Sequence, residues 1–293
     1  MTSTVIRRAY RTWRAVAAVA AAPPYVKPGH FYSPLTSGED IRRALSWQDA
    51  PGVELNESDQ LSLAASIQSV LETREPGPRY RGPADMFGQA DAAVYRAMLG
   101  VLRPSRIIEV GSGFSTAVAL DEADVNRDLA GLEITCIEPY PERLLGLLRS
   151  SDQVTLVRHP VQEVPLETFG GLASGDILFI DSSHVAKAGS DVAWLLLRVL
   201  PRLAPGVVVH IHDVFWPFTY RADWLAERRD WNEAYFLHAF LSGNAEWEIV
   251  LFASWLWNEH PNLVPTRIAH EQPGSIWLRR KADHLSHRSG FMN

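Results

Sequence analysis

Apolar runs of strand length alternate with segments of helical spacing along most of the chain. RPSRIIEVGSG (103–113, a strand entering a glycine turn), LEITCIEPY (132–140), QVTLVRH (153–159), DILFIDSSH (176–184), GVVVHIHDVF (206–215), EWEIVLFASWL (246–256) and SIWLRRKA (275–282) read as strands. The segments 85–102, 115–123, 141–150, 191–203 and 231–243 read as helices. Strands alternating with helices imply βαβ units and a parallel sheet. The last two strands follow one another with no helix between, so that pair is expected to include an antiparallel edge strand. Upstream, residues 57–72 have helical spacing, with Leu61, Ala64, Ala65, Ile67 and Leu71 on one face. The Pro-, Gly- and Ser-rich stretch 23–38 and residues 75–83 read as breaks.

Composition bears on function more than on fold. A net charge of −6 argues against a nucleic-acid partner, because phosphate binding wants a basic face. The one cysteine, Cys136, leaves no disulfide framework and no Cys-rich zinc site, and it fits a reducing, cytoplasmic setting. No run reaches the ~20 apolar residues of a membrane span. TVIRRAYRTWRAVAAVAAAPP (4–24) sets four arginines and no acid before a short alanine run. It reads either as a targeting peptide or as an alanine-rich helix packing on the main domain or on a second subunit. The second reading gives an N-terminal helical arm and lid over 1–78, able to make a homo-oligomer contact, and a catalytic domain over 79–293.

IIEVGSGFST (107–116) is a strand, a glycine turn and a helix start. The glycines let backbone approach a ligand, and the helix N-terminus offers free N–H groups. A dinucleotide fingerprint would want a third glycine near Thr116, and none is there. Glu138 closes the second strand, where a carboxylate can accept both ribose hydroxyls. Glu109 lies two residues before Gly111, where it meets a cationic amine or else is a solvated strand residue. A ligand with a ribose and an amino-acid end explains both acids. EVGSGFST and IEPY resemble the first and second motifs of the class I S-adenosylmethionine (SAM) methyltransferases, over about Arg79 to Lys281. The resemblance implies a Rossmann-like α/β fold with a seven-stranded, mostly parallel sheet, a reversed last strand and helices on both faces. It also implies SAM contacts at Glu109, Gly111, Ser112, Gly113, Ser115, Glu138, Pro139, Gln162 and Asp181.

Asp181 ends the fourth strand with His184 three residues on, and His212 and Asp213 end the fifth. In open parallel sheets the carboxyl ends of the strands form one ligand-binding rim. Two residues along a strand span ~6.6 Å, so His210 lies a layer below His212 on the same face. Asp181, His212 and Asp213 make a set of two carboxylates and one imidazole. Such a set suits Mg²⁺ first, with Mn²⁺ or Fe²⁺ as alternatives. The arrangement is similar to the metal-dependent O-methyltransferases of the catechol type and of the macrolide-sugar (mycinamicin and macrocin) type. Asp181 matches their first ligand and Asp213 their last, while His212 departs from their middle ligand. His184 stands where the sugar type carries a histidine base. A cation that lowers the pKa of a hydroxyl, and a histidine that takes its proton, would give metal-assisted O-methylation. The resemblance implies a sugar or polyketide-like natural product as the acceptor.

Three alternatives stay open. One is a non-haem iron oxygenase using His210, His212 and an aspartate. Another is a C-methyltransferase, and the third a protein that holds SAM without chemistry. The aromatics after strands five and six, from Trp216 to Phe236 and at Trp255 and Trp257, read equally as a pocket wall or a packed lid. Arg79, Arg81 and Met86 fall where related enzymes close over the cofactor.

Overall fold

The computed structural model of the chain describes residue 23 and residues 25–73, 77–81 and 86–282. Of the arm and lid expected over 1–78, residues 1–22, 24 and 74–76 lie outside the described residues. In chain order the elements are α1 (Gly38–Ala44), α2 (Glu57–Thr73), α3 (Gln89–Leu102), β1 (Arg106–Val110), α4 (Phe114–Val125), β2 (Glu133–Ile137), α5 (Glu142–Leu147), β3 (Thr155–Val157), α6 (Leu166–Phe169), β4 (Ile177–Ile180), α7 (Asp191–Trp194), β5 (Val208–His212), α8 (Ala222–Ala226), α9 (Glu233–Leu241), β6 (Trp247–Phe252), α10 (Ala253–Glu259) and β7 (Ser275–Arg280). Among the described residues no helix is long and apolar enough to cross a membrane.

The described residues divide into two compact units, one of those before Trp47 with Ala222–Asp230 and one of the remainder. In the first, Ser37 and Asp40 cap α1 reciprocally, and Asp230 accepts the Thr36 N–H at 2.8 Å. The second holds the sheet, in the order β3-β2-β1-β4-β5-β7-β6. β1 to β5 run parallel, and β7 pairs antiparallel with both β5 and β6. Every residue of β4 and β5 is buried, as strands covered on both faces must be, and this is why they are unbroken apolar runs.

Two expectations are corrected here. The reversed strand is interior, between β5 and β6, and β6 takes the edge. A helix and the loop over 260–274 separate β6 from β7, giving β7 the length of chain to return between its neighbours. The apolar run 246–256 is strand only to Phe252, and its remainder is α10, whose Ala253–Trp257 are buried. A continuous apolar run cannot by itself tell a buried strand from a buried helix.

Registration places Cys136, Glu109, Phe179, His210 and Trp277 side by side across five strands. Tyr95 of α3 covers this row, with ring centroids 5.0 Å from Phe179 and 5.9 Å from Trp277. One step beyond the row, at the carboxyl ends of the strands, come Gly111, Asp181 and His212.

Candidate active site

The glycine turn between β1 and α4 is shaped by its neighbours. Gly111 sits at φ +80, and a Cβ there would stand 1.8 Å from the Asp181 carbonyl oxygen, so only glycine fits. Thr116 occupies the position of the missing third glycine and has its own task. Its hydroxyl accepts the Gly113 N–H at 3.2 Å and donates to Glu109 Oε2. Glu109 is buried rather than solvated, and its Oε1 has no hydrogen-bond partner. Burial raises its carboxyl to about 7 against the hydrogen bonds from Ser115 and Thr116. A buried carboxylate oxygen left bare beside a glycine turn fits the ammonium of an amino-acid ligand.

Glu138 accepts the Ser112 N–H on one oxygen (3.2 Å) and the Tyr140 N–H on the other (2.8 Å), which aims a half-buried carboxylate across the turn. Pro139 is half-buried beside it. The Ser112 hydroxyl is buried and has no partner. Gln162 donates to the Gly189 carbonyl at 3.2 Å. Arg143 of α5 was not among the sequence candidates, yet its guanidinium lies 5.6 Å from the Phe114 ring centroid and its charge helps to lower the pKa of Asp181.

At the rim, Asp181, His184 and Asp213 each offer a ligand atom within 4.8 Å of the others. His184 Nε2 stands 3.4 Å from Asp181 Oδ1 and 3.5 Å from Asp213 Oδ2. The histidine within this distance of both carboxylates is His184, the expected base, while His212, the expected metal ligand, approaches Asp213. His212 is buried, with Nε2 3.5 Å from Asp213 Oδ1 and its ring 5.0 Å from that of Phe87. His184 owes its place to local backbone: both His184 (φ 58) and Asp213 (φ 57) adopt the left-handed conformation. That turns the chain sharply after each strand and folds His184 back over the strand ends.

Burial opposes charge on His184, but Asp181, Glu233 and Asp213 outweigh it and hold its pKa well above the usual histidine value. Burial likewise opposes charge on His212, and Asp213, Asp91 and Asp181 raise its pKa. Burial raises the Asp181 carboxyl, yet the two histidines bring it below the ordinary range. Asp91 of α3, silent in the sequence, belongs to the same field. Desolvation raises it to about 7, His212 opposes the rise, and its Oδ1 accepts the Gly274 N–H at 2.9 Å. Beside it, a cavity of about 380 Å³ is lined by Gln89, Arg221, His270, Glu271 and Gln272, all polar.

His210 stacks on Phe179 at 4.2 Å, meets Trp277 edge-on at 4.5 Å and has no partner on either ring nitrogen. It lies a layer below His212, as the strand spacing requires. Phe218, Tyr220, Trp255 and Trp257 are buried, which favours the packed reading of the aromatics. Arg79, expected where related enzymes close over the cofactor, makes ion pairs within the protein. It is buried and bonded to Asp121, Asp124 and Asp152.

A family model described as a methyltransferase domain matches residues 108–214, from β1 through the end of β5. An uncharacterized protein of Archaeoglobus fulgidus is 35% identical over an alignment 163 positions long, which covers 48% of this chain and 71% of that protein. Among solved structures, the methyltransferase PaMTH1 of Podospora anserina bound to S-adenosylhomocysteine (SAH) is similar over 78% of this chain and 98% of its own. Its identity is 16% and its TM-score 0.44. The O-methyltransferase of Bacillus cereus in complex with SAH covers 83% of this chain and 96% of its own, at 13% identity and a TM-score of 0.41. Likenesses this distant bear on neither substrate nor mechanism. On the matched methyltransferase domain, the strand order with its reversed β7 and the acid-flanked glycine turn, the chain belongs to the class I SAM-dependent methyltransferases.

Proposed function

We propose that this methyltransferase acts on a hydroxyl of a small molecule, of sugar or polyketide-like character, with a divalent cation held by Asp181 and Asp213 and with His184 as general base. The observation that carries the reading is the cluster of Asp181, His184 and Asp213 within 4.8 Å, on a backbone that touches the glycine turn. Two carboxylates beside imidazole nitrogen suit Mg²⁺, Mn²⁺ or Fe²⁺, and Mg²⁺ is favoured by the oxygen donors. His212, against Asp213, is the further donor the rim offers. When bound, the cation lowers the pKa of the acceptor hydroxyl and offsets the carboxylates' pull on the His184 proton.

The chain's own residues do the rest. Glu109 takes the ammonium of SAM, and Glu138 takes the ribose hydroxyls. SAM is consumed as a substrate: the acceptor oxygen bonds to the methyl carbon as the carbon–sulfur bond breaks, leaving a neutral thioether. The hydroxyl proton goes to His184 Nε2. Positioning supplies most of the acceleration, since the sulfonium methyl is already activated. The oxygenase alternative needs His210 at the same ion, and His210 is stacked between Phe179 and Trp277 outside the cluster.

The test supplies SAM with a radiolabelled methyl group, Mg²⁺ and a panel of glycosides and polyketide alcohols. Label should enter an oxygen-linked methyl group, stop with EDTA and resume with added Mg²⁺. Transfer to carbon, or transfer indifferent to EDTA, would overturn the reading.

A further inference from the structure

We propose that Glu233 is the positioning residue for His184: from the start of α9 it holds the ring by Nδ1, so that Nε2 is the nitrogen turned toward the acceptor. This rests on the reading of His184 as general base.

His184 Nδ1 and Glu233 Oε2 are 2.9 Å apart, and both residues are buried. An ionised carboxylate only accepts hydrogen bonds, so the shared proton belongs on Nδ1. In the neutral ring Nε2 is then the acceptor nitrogen, the one that lies between Asp181 and Asp213. Without Glu233 the ring could carry its proton on either nitrogen, and the form with hydrogen on Nε2 cannot take one from a hydroxyl.

The segment Trp231–Glu233 is built around this contact. The Asn232 and Glu233 N–H groups both donate to the His184 carbonyl, at 3.0 and 3.2 Å. The Asn232 side chain accepts the Ala186 N–H at 2.6 Å and donates to the Ala186 carbonyl at 3.3 Å. The Trp231 ring lies 4.4 Å from the imidazole, centroid to centroid. From the other side, Asp191 at the start of α7 accepts the Ser183 N–H at 2.8 Å and its hydroxyl at 2.6 Å. A histidine at φ 58 persists only where its surroundings over-determine it, and these bonds do so. Glu233 is the member of that set whose side chain hydrogen-bonds the ring.

The test is ¹⁵N NMR of histidine-labelled enzyme saturated with Mg²⁺ and SAH, with the His184 signals identified by their loss in His184→Ala. The wild-type ring should carry its proton on Nδ1. Glu233→Gln, which still offers an accepting oxygen, should keep that form, and Glu233→Leu should lose it. With an acceptor from the panel above, Glu233→Leu should lower kcat by about 10–100-fold with KM for SAM unchanged. Glu233→Gln should recover most of that loss. In a His184→Ala background Glu233→Leu should cost nothing more, because it acts through a side chain already gone. A wild-type proton on Nε2, or an unchanged tautomer in Glu233→Leu, overturns the inference; the wild-type spectrum decides even if that variant fails to fold. If His184→Ala is fully active, the base reading has failed and this inference with it. If His184→Ala is inactive and Glu233→Leu keeps the wild-type kcat, the inference alone has failed.

Discussion

The Asp181 carbonyl occupies the space that a side chain on Gly111 would need, with 1.8 Å between the oxygen and an ideal Cβ. The glycine turn and the cluster of Asp181, His184 and Asp213 are therefore joined through backbone. Gly111→Ala forces both a left-handed alanine and a displaced fourth strand end. A loss of at least ~1–3 kcal/mol of stability is expected from the conformation alone. Urea unfolding measures it, and calorimetry with SAH should show binding weakened in the same variant.

Glu109 gives a pH dependence of definite sign. Burial puts its folded pKa at about 7, above the ordinary 4.5. Its contribution to ligand-free stability is thus complete below about 4.5 and lost as pH rises through about 7. The loss is on the order of 3 kcal/mol at pH 8. Glu109→Gln should therefore be relatively more stable than wild type at pH 8 than at pH 4, by urea unfolding. SAH needs the ionised carboxylate for its ammonium. Its affinity should rise across pH 7 in wild type and not in Glu109→Gln.

Arg79 links α4 to the segment before β3. Its side chain is 3% exposed, as is that of Asp152, and that of Asp121 is 1% exposed. Arg79→Met leaves two buried carboxylates without their cation and should cost ~3–5 kcal/mol in urea unfolding. The Arg79 hydrogen bond holds Asp152 below the ordinary carboxylate range. The stability it supplies is present above the unfolded carboxyl pKa near 4 and is lost as pH falls below it. Acid unfolding of wild type should be steeper than that of Arg79→Met.

Strands were legible in the sequence because β1, β4 and β5 are buried on both faces and cannot be anything but apolar runs. The glycine turn and Glu138 were legible because they follow directly from strand ends. What the sequence hid was lateral. Glu233 is 49 residues from His184. Asp91 and Arg143 arrive on α3 and α5, whose helical spacing announces packing and not the rim. The approach of His184 to both carboxylates depends on two left-handed residues, His184 and Asp213, and neither residue type announces that conformation. The helix at Ala253 was hidden by its own burial.

The central claim is one cation site shared by Asp181 and Asp213 next to bound cofactor. Mn²⁺ titration followed by electron paramagnetic resonance, in the presence of SAH, tests it most directly. One Mn²⁺ should bind per chain. Its affinity should fall by more than about 100-fold in Asp181→Asn and in Asp213→Asn, since even outer partners of metal ligands cost ~10–100-fold. Asp213→Asn should still bind SAH. An enzyme that takes up SAH but no Mn²⁺, or one whose Mn²⁺ site survives both substitutions, would contradict the claim.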